Sequence, residues 1–415
     1  MKKNIRYLMT MTAMCGLVGS AVGICMGTAG LFYTAIAEDF SISKGSISMM
    51  YTITAVASAF SGLLIPRILR RENRLKLLIA GGVLLSVGGT VLLSIATGIW
   101  SLYFYSVIRG IGAGLLSFVL ATTVINRWFL AKNGLMVSIA MAFSGLPGVL
   151  LSNIFTGVIE SRGWRFGYLF VAAVMMLFSL PGLLFPVSVK PEAAGLTAYG
   201  YEEFQKYKQE NPDTAVVTQS NEIVDPKAAK MVLLIVFTIL ACIIASVLQH
   251  LPGFAVSVGF AVSLGALMTS LASASNILSK LMYGVLTEKI GAYKSTILCA
   301  AVNIVSIIML LVLRAPWAMA AGAFLFGFSF ANSSVALSVM TRELFGIEKY
   351  TRVYPTVSFA GAMANAVGVT LLGMIYDLFG NYYVVFILCL IMQAAIIVIT
   401  NIISRRFSAA YPKSA

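Results

Sequence analysis

Residues 231–248 read Met-Val-Leu-Leu-Ile-Val-Phe-Thr-Ile-Leu-Ala-Cys-Ile-Ile-Ala-Ser-Val-Leu, a run without one charged side chain. As a helix it would reach about 27 Å, close to the ~30 Å of hydrocarbon in a bilayer. Similar runs recur along the whole chain. Of its 415 residues, 59% are hydrophobic and only 11% charged, against roughly 25% charged in a soluble domain. The runs lack the period-2 alternation of a membrane barrel, so helices with internally satisfied backbones are the expected solution.

Spans are expected near 7–36, 45–66, 76–97, 100–128, 133–158, 166–189, 229–256, 261–287, 294–313, 317–341, 350–376 and 382–404. The first follows a basic start at Met1 to Arg6 and imitates a signal peptide, but it is too long for that and eleven more spans follow. It reads as a helix of the mature protein.

The net charge of +14 does not indicate nucleic acid, because its placement alternates. Lys2, Lys3 and Arg6, then Arg67, Arg70, Arg71, Arg74 and Lys76, then Arg127 and Lys132 fall on one side. Lys289, Lys294, Arg342, Lys349, Arg352, Arg405, Arg406 and Lys413 continue the same side, while the other has only Lys44, Arg162, Arg165 and Arg314. Under the positive-inside rule both termini and the long central loop are cytoplasmic, in the inner (plasma) membrane. The five cysteines all lie inside spans without paired spacing. They read as packing residues, and neither a disulfide, a metal site nor a cofactor is expected.

Composition changes sharply once. Residues 190–228 are rich in acids, lysines and prolines, with a short surface helix expected from Tyr201 to Glu210 and a flexible linker beyond it. Six spans precede this loop, in 1–189, and six follow it, in 229–415. The halves echo each other. Gly62-Leu-Leu-Ile-Pro66-Arg67 closes the second span and Gly284-Val-Leu-Thr-Glu288-Lys289-Ile-Gly291 the eighth, while Gly163-Trp164-Arg165 opens the sixth and Gly380-Asn381-Tyr382 the twelfth. Six-plus-six repeats are how many carriers are built.

The loop after the eighth span resembles the cytoplasmic signature of the major facilitator superfamily. Arg109-Gly110-Ile-Gly112-Ala-Gly114 is similar to that superfamily's Arg-Gly-x-Gly-x-Gly motif. More narrowly, Asn126-Arg127-Trp128-Phe129, Ser144-Gly145-Leu-Pro147-Gly148, Gly163-Trp164-Arg165, His250-Leu251-Pro252 and Pro191-Glu-Ala-Ala-Gly195-Leu196 with Tyr199-Gly200 resemble the monocarboxylate transporters and oxalate:formate antiporters. The resemblance implies an all-α integral membrane protein, twelve transmembrane helices in two pseudo-symmetric six-helix bundles. It also implies a monomeric, non-enzymatic transporter acting by alternating access. Pro66 departs from the pattern, replacing the usual Asp of the first-half signature. The first span also lacks the lysine of animal-type monocarboxylate carriers.

An ionisable group inside a span costs about 2.5–3.5 kcal/mol on insertion scales, so each needs a reason. Arg109, Lys280 and His250 stand well inside spans, and every acid reads as lying in a loop or at a span end. Cations without intramembrane carboxylates point to an anionic substrate, with a proton or counter-anion as possible partner. Asn276, Lys280 and Tyr283 recur at i, i+4 and i+7 and share a helix face. The resemblance adds that this stretch corresponds to one carrying a substrate-binding arginine. Arg109 has two readings, substrate contact or a bond to backbone carbonyls amid close-packing glycines. Tyr33, Tyr51, Asn332, Tyr354 and Asn365 are further cavity candidates. His250, as proton sensor or outer gate, and Glu288, Lys289 and Arg67, from the repeated signature, are gating candidates. The leading function is transport of a small mono- or dicarboxylate, with Lys280 as its electrostatic anchor. The alternatives are a drug or metabolite efflux pump and a non-transporting membrane sensor.

Overall fold

The computed structural model describes residues 2–42, 44–70, 74–210 and 226–407. Arg71, Lys413 and the expected flexible linker over 211–225 lie outside the described residues. The described chain is helical throughout, apart from turns and one isolated bridge between Phe129 and Tyr199. It forms two compact units. The first joins Met1–Phe129 to Ile139–Tyr199, and the second joins Leu130–Ser138 to Gly200–Ala415.

Among the described residues nine helical segments are long and apolar enough to cross a membrane. They differ from the expected spans in two ways. First, helices Leu146–Leu184 and Leu337–Phe379 hold 39 and 43 residues, roughly 60 Å each and twice a bilayer's hydrocarbon. Each is two helices meeting at a single non-helical glycine, Gly163 (φ 79°, ψ 162°) or Gly346 (φ 74°, ψ 167°). Only glycine takes these angles without strain. The loop expected between the fifth and sixth spans is therefore one residue. Second, helix Val262–Ile290 is not among the nine. Its interior carries Thr269, Ser270, Ser273, Ser275, Asn276, Ser279 and Lys280, making it more polar than its neighbours.

The first expected span is also not one helix. Lys2–Val18 gives way to a π turn, Gly19–Ile24, a 3-10 turn, Ala29–Phe32, and a separate helix, Tyr33–Phe40. Glycines at 16, 19, 23, 27 and 30 weaken this stretch as a helix. At Gly23 a Cβ would lie 2.8 Å from the Phe143 carbonyl oxygen, so the neighbouring backbone occupies that space. The span over 100–128 is likewise divided, into Ile99–Leu115 and Phe118–Trp128. In the second unit the 3-10 turn Val247–His250 and the π turn Ala331–Ala336 interrupt two more.

The start of the central loop is structured. A 3-10 turn, Pro191–Ala194, and the stretch up to Tyr199 are bound back onto the first unit. The Tyr7 hydroxyl donates to Thr197 O at 2.6 Å, the Trp128 indole to Ser188 O at 2.9 Å, and the Tyr199 N–H to Trp128 O at 2.8 Å. Tyr7 packs edge-on against Trp128 at 6.0 Å and Tyr199 at 5.7 Å. The Asn126-Arg127-Trp128-Phe129 and Pro191-to-Gly200 motifs thus meet in one aromatic strap. The expected helix follows at Tyr201–Glu210.

Trp128 is fully buried at 0% exposure. Trp128→Ala should lower stability by about 3–5 kcal/mol, seen as a fall in thermal unfolding temperature in detergent. Trp128→Phe, which keeps an aromatic ring but loses the indole donor, should fall by clearly less.

Candidate functional site

In the first unit, helix Ile99–Leu115 is gripped on two sides. A Cβ at Gly110 would lie 2.5 Å from Thr54 O and one at Gly114 would lie 2.1 Å from Ser58 O, both on helix Lys44–Gly62. A Cβ at Gly112 would lie 2.2 Å from Ser86 N, on helix Leu75–Ser94. On that same helix a Cβ at Gly89 would meet the Arg109 backbone N at 2.6 Å. The Arg-Gly-x-Gly-x-Gly spacing is therefore a packing code that fixes the backbone of Arg109.

Arg109 is 3% exposed. Its Nη2 donates to the carbonyl oxygen of Cys25, in the broken first span. That carbonyl is available because the Ala29 N–H, its ordinary helical donor, bonds Met26 O instead. The Arg109 Nε is buried and has no hydrogen-bond partner. Its Cζ stands 6.0 Å from the centroid of the Tyr168 ring, and Phe32 stacks on that ring at 4.0 Å and 6°.

These groups surround a small recess lined by Cys25, Ala29, Tyr33, Met50, Tyr51, Thr54, Arg109 and Tyr168. Three expected residues, Arg109, Tyr33 and Tyr51, thus share one recess, and among the described residues no acidic side chain lines it. Sequence reasoning missed Cys25, Thr54 and Tyr168. Tyr168 lies one helical turn after Trp164, in a motif already conspicuous. Nothing in the sequence marks the Cys25 carbonyl, which becomes an acceptor only through the helix break.

In the second unit, Lys280 is 4% exposed. Asn276 lies one turn before it, with a buried Oδ1 that lacks a hydrogen-bond partner. Tyr283 does not join them in a shared polar site. Its hydroxyl turns to helix Ala292–Val312, reaching Thr296 Oγ1 at 2.9 Å and Ala292 O at 3.2 Å. Asn332 comes to the same place, donating to Thr296 O at 3.3 Å. Tyr354 stacks on Tyr350, one turn earlier on the same helix, at 4.9 Å, whereas Asn365 donates to Cys242 O at 3.1 Å and so joins two helices.

His250 Nε2 lies 3.0 Å from Val369 O, tying the 3-10 turn to the long helix Leu337–Phe379. Glu288 Oε1 accepts from the Leu135 N–H at 3.4 Å, while Lys289 and Arg67 are exposed. Glu343 lies three residues before the break at Gly346, at a span end, near Tyr283 and Tyr293.

Sequence comparison completes the description. The profile of the Major Facilitator Superfamily matches residues 15–279 and 254–413, nearly the whole chain. The chain belongs to the Major Facilitator Superfamily. Membership makes it a multi-pass membrane transporter that moves a small polar solute by alternating access. It is similar to Monocarboxylate transporter 12 of Rattus norvegicus, 22% identical over 86% of this chain and 76% of the relative. The Mus musculus protein of the same name is 21% identical over the same shares. Among solved structures, the proton:xylose symporter XylE bound to 6-bromo-6-deoxy-D-glucose matches with a TM-score of 0.71. The match has 14% identity over 99% of this chain and 98% of that one. FucP, in the outward conformation, also gives 0.71, with 11% identity over 97% and 99%. At such identities the likeness establishes the superfamily fold.

The packing code has a direct test. Gly112→Val should abolish monodisperse protein in size-exclusion chromatography, because Ser86 N leaves its Cβ no room. Gly148→Ala, with nothing within 4 Å of the added carbon, should leave the profile unchanged.

Proposed function

We propose that this chain is a secondary transporter of a small organic anion, a mono- or dicarboxylate. The observation that carries the reading is Arg109. A guanidinium at 3% exposure, with a buried Nε lacking a partner, lines a recess that offers it no carboxylate. A cation in low dielectric needs a counter-charge, and its planar fork of donors matches a carboxylate. Tyr33 and Tyr51 supply hydroxyls beside it, and Met50 and Ala29 supply apolar wall for the substrate's carbon skeleton. The second unit holds a buried cation of its own, Lys280. The relatives' names speak of monocarboxylates, in keeping with this chemistry. Export of cationic drugs fits poorly, since no acid lines the recess.

The architecture we propose for this activity is twelve helices in two pseudo-symmetric six-helix bundles. Dividing the two double-length segments at Gly163 and Gly346 and adding helix Val262–Ile290 brings the nine spans to twelve. The alternation of basic loops supports an inner-membrane protein with cytoplasmic termini, and we take it to act as a monomer.

Counterflow of labelled formate, oxalate, lactate, pyruvate and succinate in proteoliposomes identifies the anion. Arg109→Gln and Lys280→Ala are each expected to cut its uptake roughly ten- to hundredfold, the worth of a hydrogen bond to a charged group, with membrane insertion intact. Wild-type uptake by Arg109→Gln would remove the anion site.

A further inference from the structure

The Gly163-Trp164-Arg165 motif is not explained by the recess itself, yet its contacts lead into it. Gly163 (φ 79°) lets the second half of Leu146–Leu184 restart with Trp164 and Arg165 at its rim. One carboxylate oxygen, Asp39 Oδ2, accepts from both: from the Trp164 indole N–H at 3.1 Å and from Arg165 Nη2 at 3.3 Å. Arg165 Nη1 also donates to Ala96 O at 2.8 Å, just past the end of helix Leu75–Ser94. The guanidinium lies over the Trp164 ring, 4.2 Å from its centroid. Three elements of the first unit are therefore clasped at one point: helix Tyr33–Phe40, the end of Leu75–Ser94 and the restarted helix.

From the clasp an aromatic chain runs inward. Trp164 meets Tyr168 edge-on, at 6.1 Å and 89°. Tyr168 stacks on Phe32 and borders Arg109. At Gly167 an added Cβ would lie 3.1 Å from Phe32 Cε1, so the small residue makes room for the stack. Trp164 and Tyr168 are 5% and 2% exposed, whereas the Asp39 and Arg165 side chains are each 46% exposed. The chain thus links a solvent-accessible ion pair to the wall of the recess. A half-exposed ion pair contributes little stability alone. Sharing its oxygen with the indole gives it a different use, fixing the plane of Trp164 and through it the ring of Tyr168.

We propose that Asp39, Trp164 and Arg165 are positioning residues for the anion recess, setting Tyr168 against Arg109 and so tuning substrate affinity. The proposal rests on the reading of that recess as the anion site. It separates from a merely structural role because it concerns KM rather than the amount of folded protein.

The test uses the full chain in proteoliposomes with the anion accepted in counterflow. Trp164→Leu and Asp39→Ala are expected to raise KM roughly three- to tenfold, the range of an aromatic pair interaction, with Vmax within twofold of the parent. Trp164→Phe keeps an edge-on ring and should recover most of the loss seen for Trp164→Leu. Asp39→Ala combined with Trp164→Leu should be no worse than the poorer single change, since both act through one ring. An unchanged KM in both single variants, or a fall in Vmax at constant KM, overturns the positioning role. Should that occur while Arg109→Gln is inactive, the clasp alone is refuted and the anion site stands. Full activity of Arg109→Gln removes the anion site and the clasp's role with it.

Discussion

The bond from the Arg109 guanidinium to the Cys25 carbonyl oxygen is the constraint around which the first unit is arranged. A permanent cation in a bilayer is costly, and a regular helix has no interior carbonyl to spare for it. Both problems have one solution here. The first span breaks after Gly19–Ile24, a backbone acceptor comes free, and the arginine takes it. Donor capacity is left over at the buried Nε, and Arg109 lines a recess walled by tyrosines and methionine. Irregular backbone is tolerated at membrane depth where it lines such a cavity, and π turns often mark functional positions.

Holding that arginine still is the work of close packing. Small residues let helices approach until backbone meets backbone, which compensates for the weak hydrophobic drive between helices in lipid. Gly110 and Gly114 face one neighbour and Gly112 another, so a three-glycine motif serves two interfaces. The second unit relies more on amides and hydroxyls between helices. Gln393 donates to Asn303 at 2.5 Å, Asn303 to Phe326 O at 3.2 Å and Ser306 to Gly322 O at 2.7 Å, all buried.

What could be read in advance follows from what each signal depends on. Span positions depend on local composition, and the helices lie close to where the apolar runs place them. The depth of Arg109 and Lys280 was legible for the same reason. Helix breaks depend on neighbours, and so the division of the first span, with the carbonyl it frees, was not. Periodicity placed Asn276, Lys280 and Tyr283 on one face. It could not show that Tyr283 would turn to Thr296, because that choice belongs to the adjacent helix. Tyr168 was passed over because tyrosines are common in such spans, and only its stack with Phe32 distinguishes it.

Helix Val262–Ile290 has a consequence for biogenesis. Its serines, Asn276 and Lys280 make it a poor candidate to leave the translocon for lipid by itself. Its predecessor, Ala228–Ser257, is the most apolar of the nine spans, and the short helix closing it, Leu251–Ser257, packs against Val262–Ile290. Integration as a hairpin lets the oily predecessor offset the insertion cost of the polar helix. The polar character that suits this helix to a solute pathway thus makes its membrane entry depend on the segment synthesised just before it.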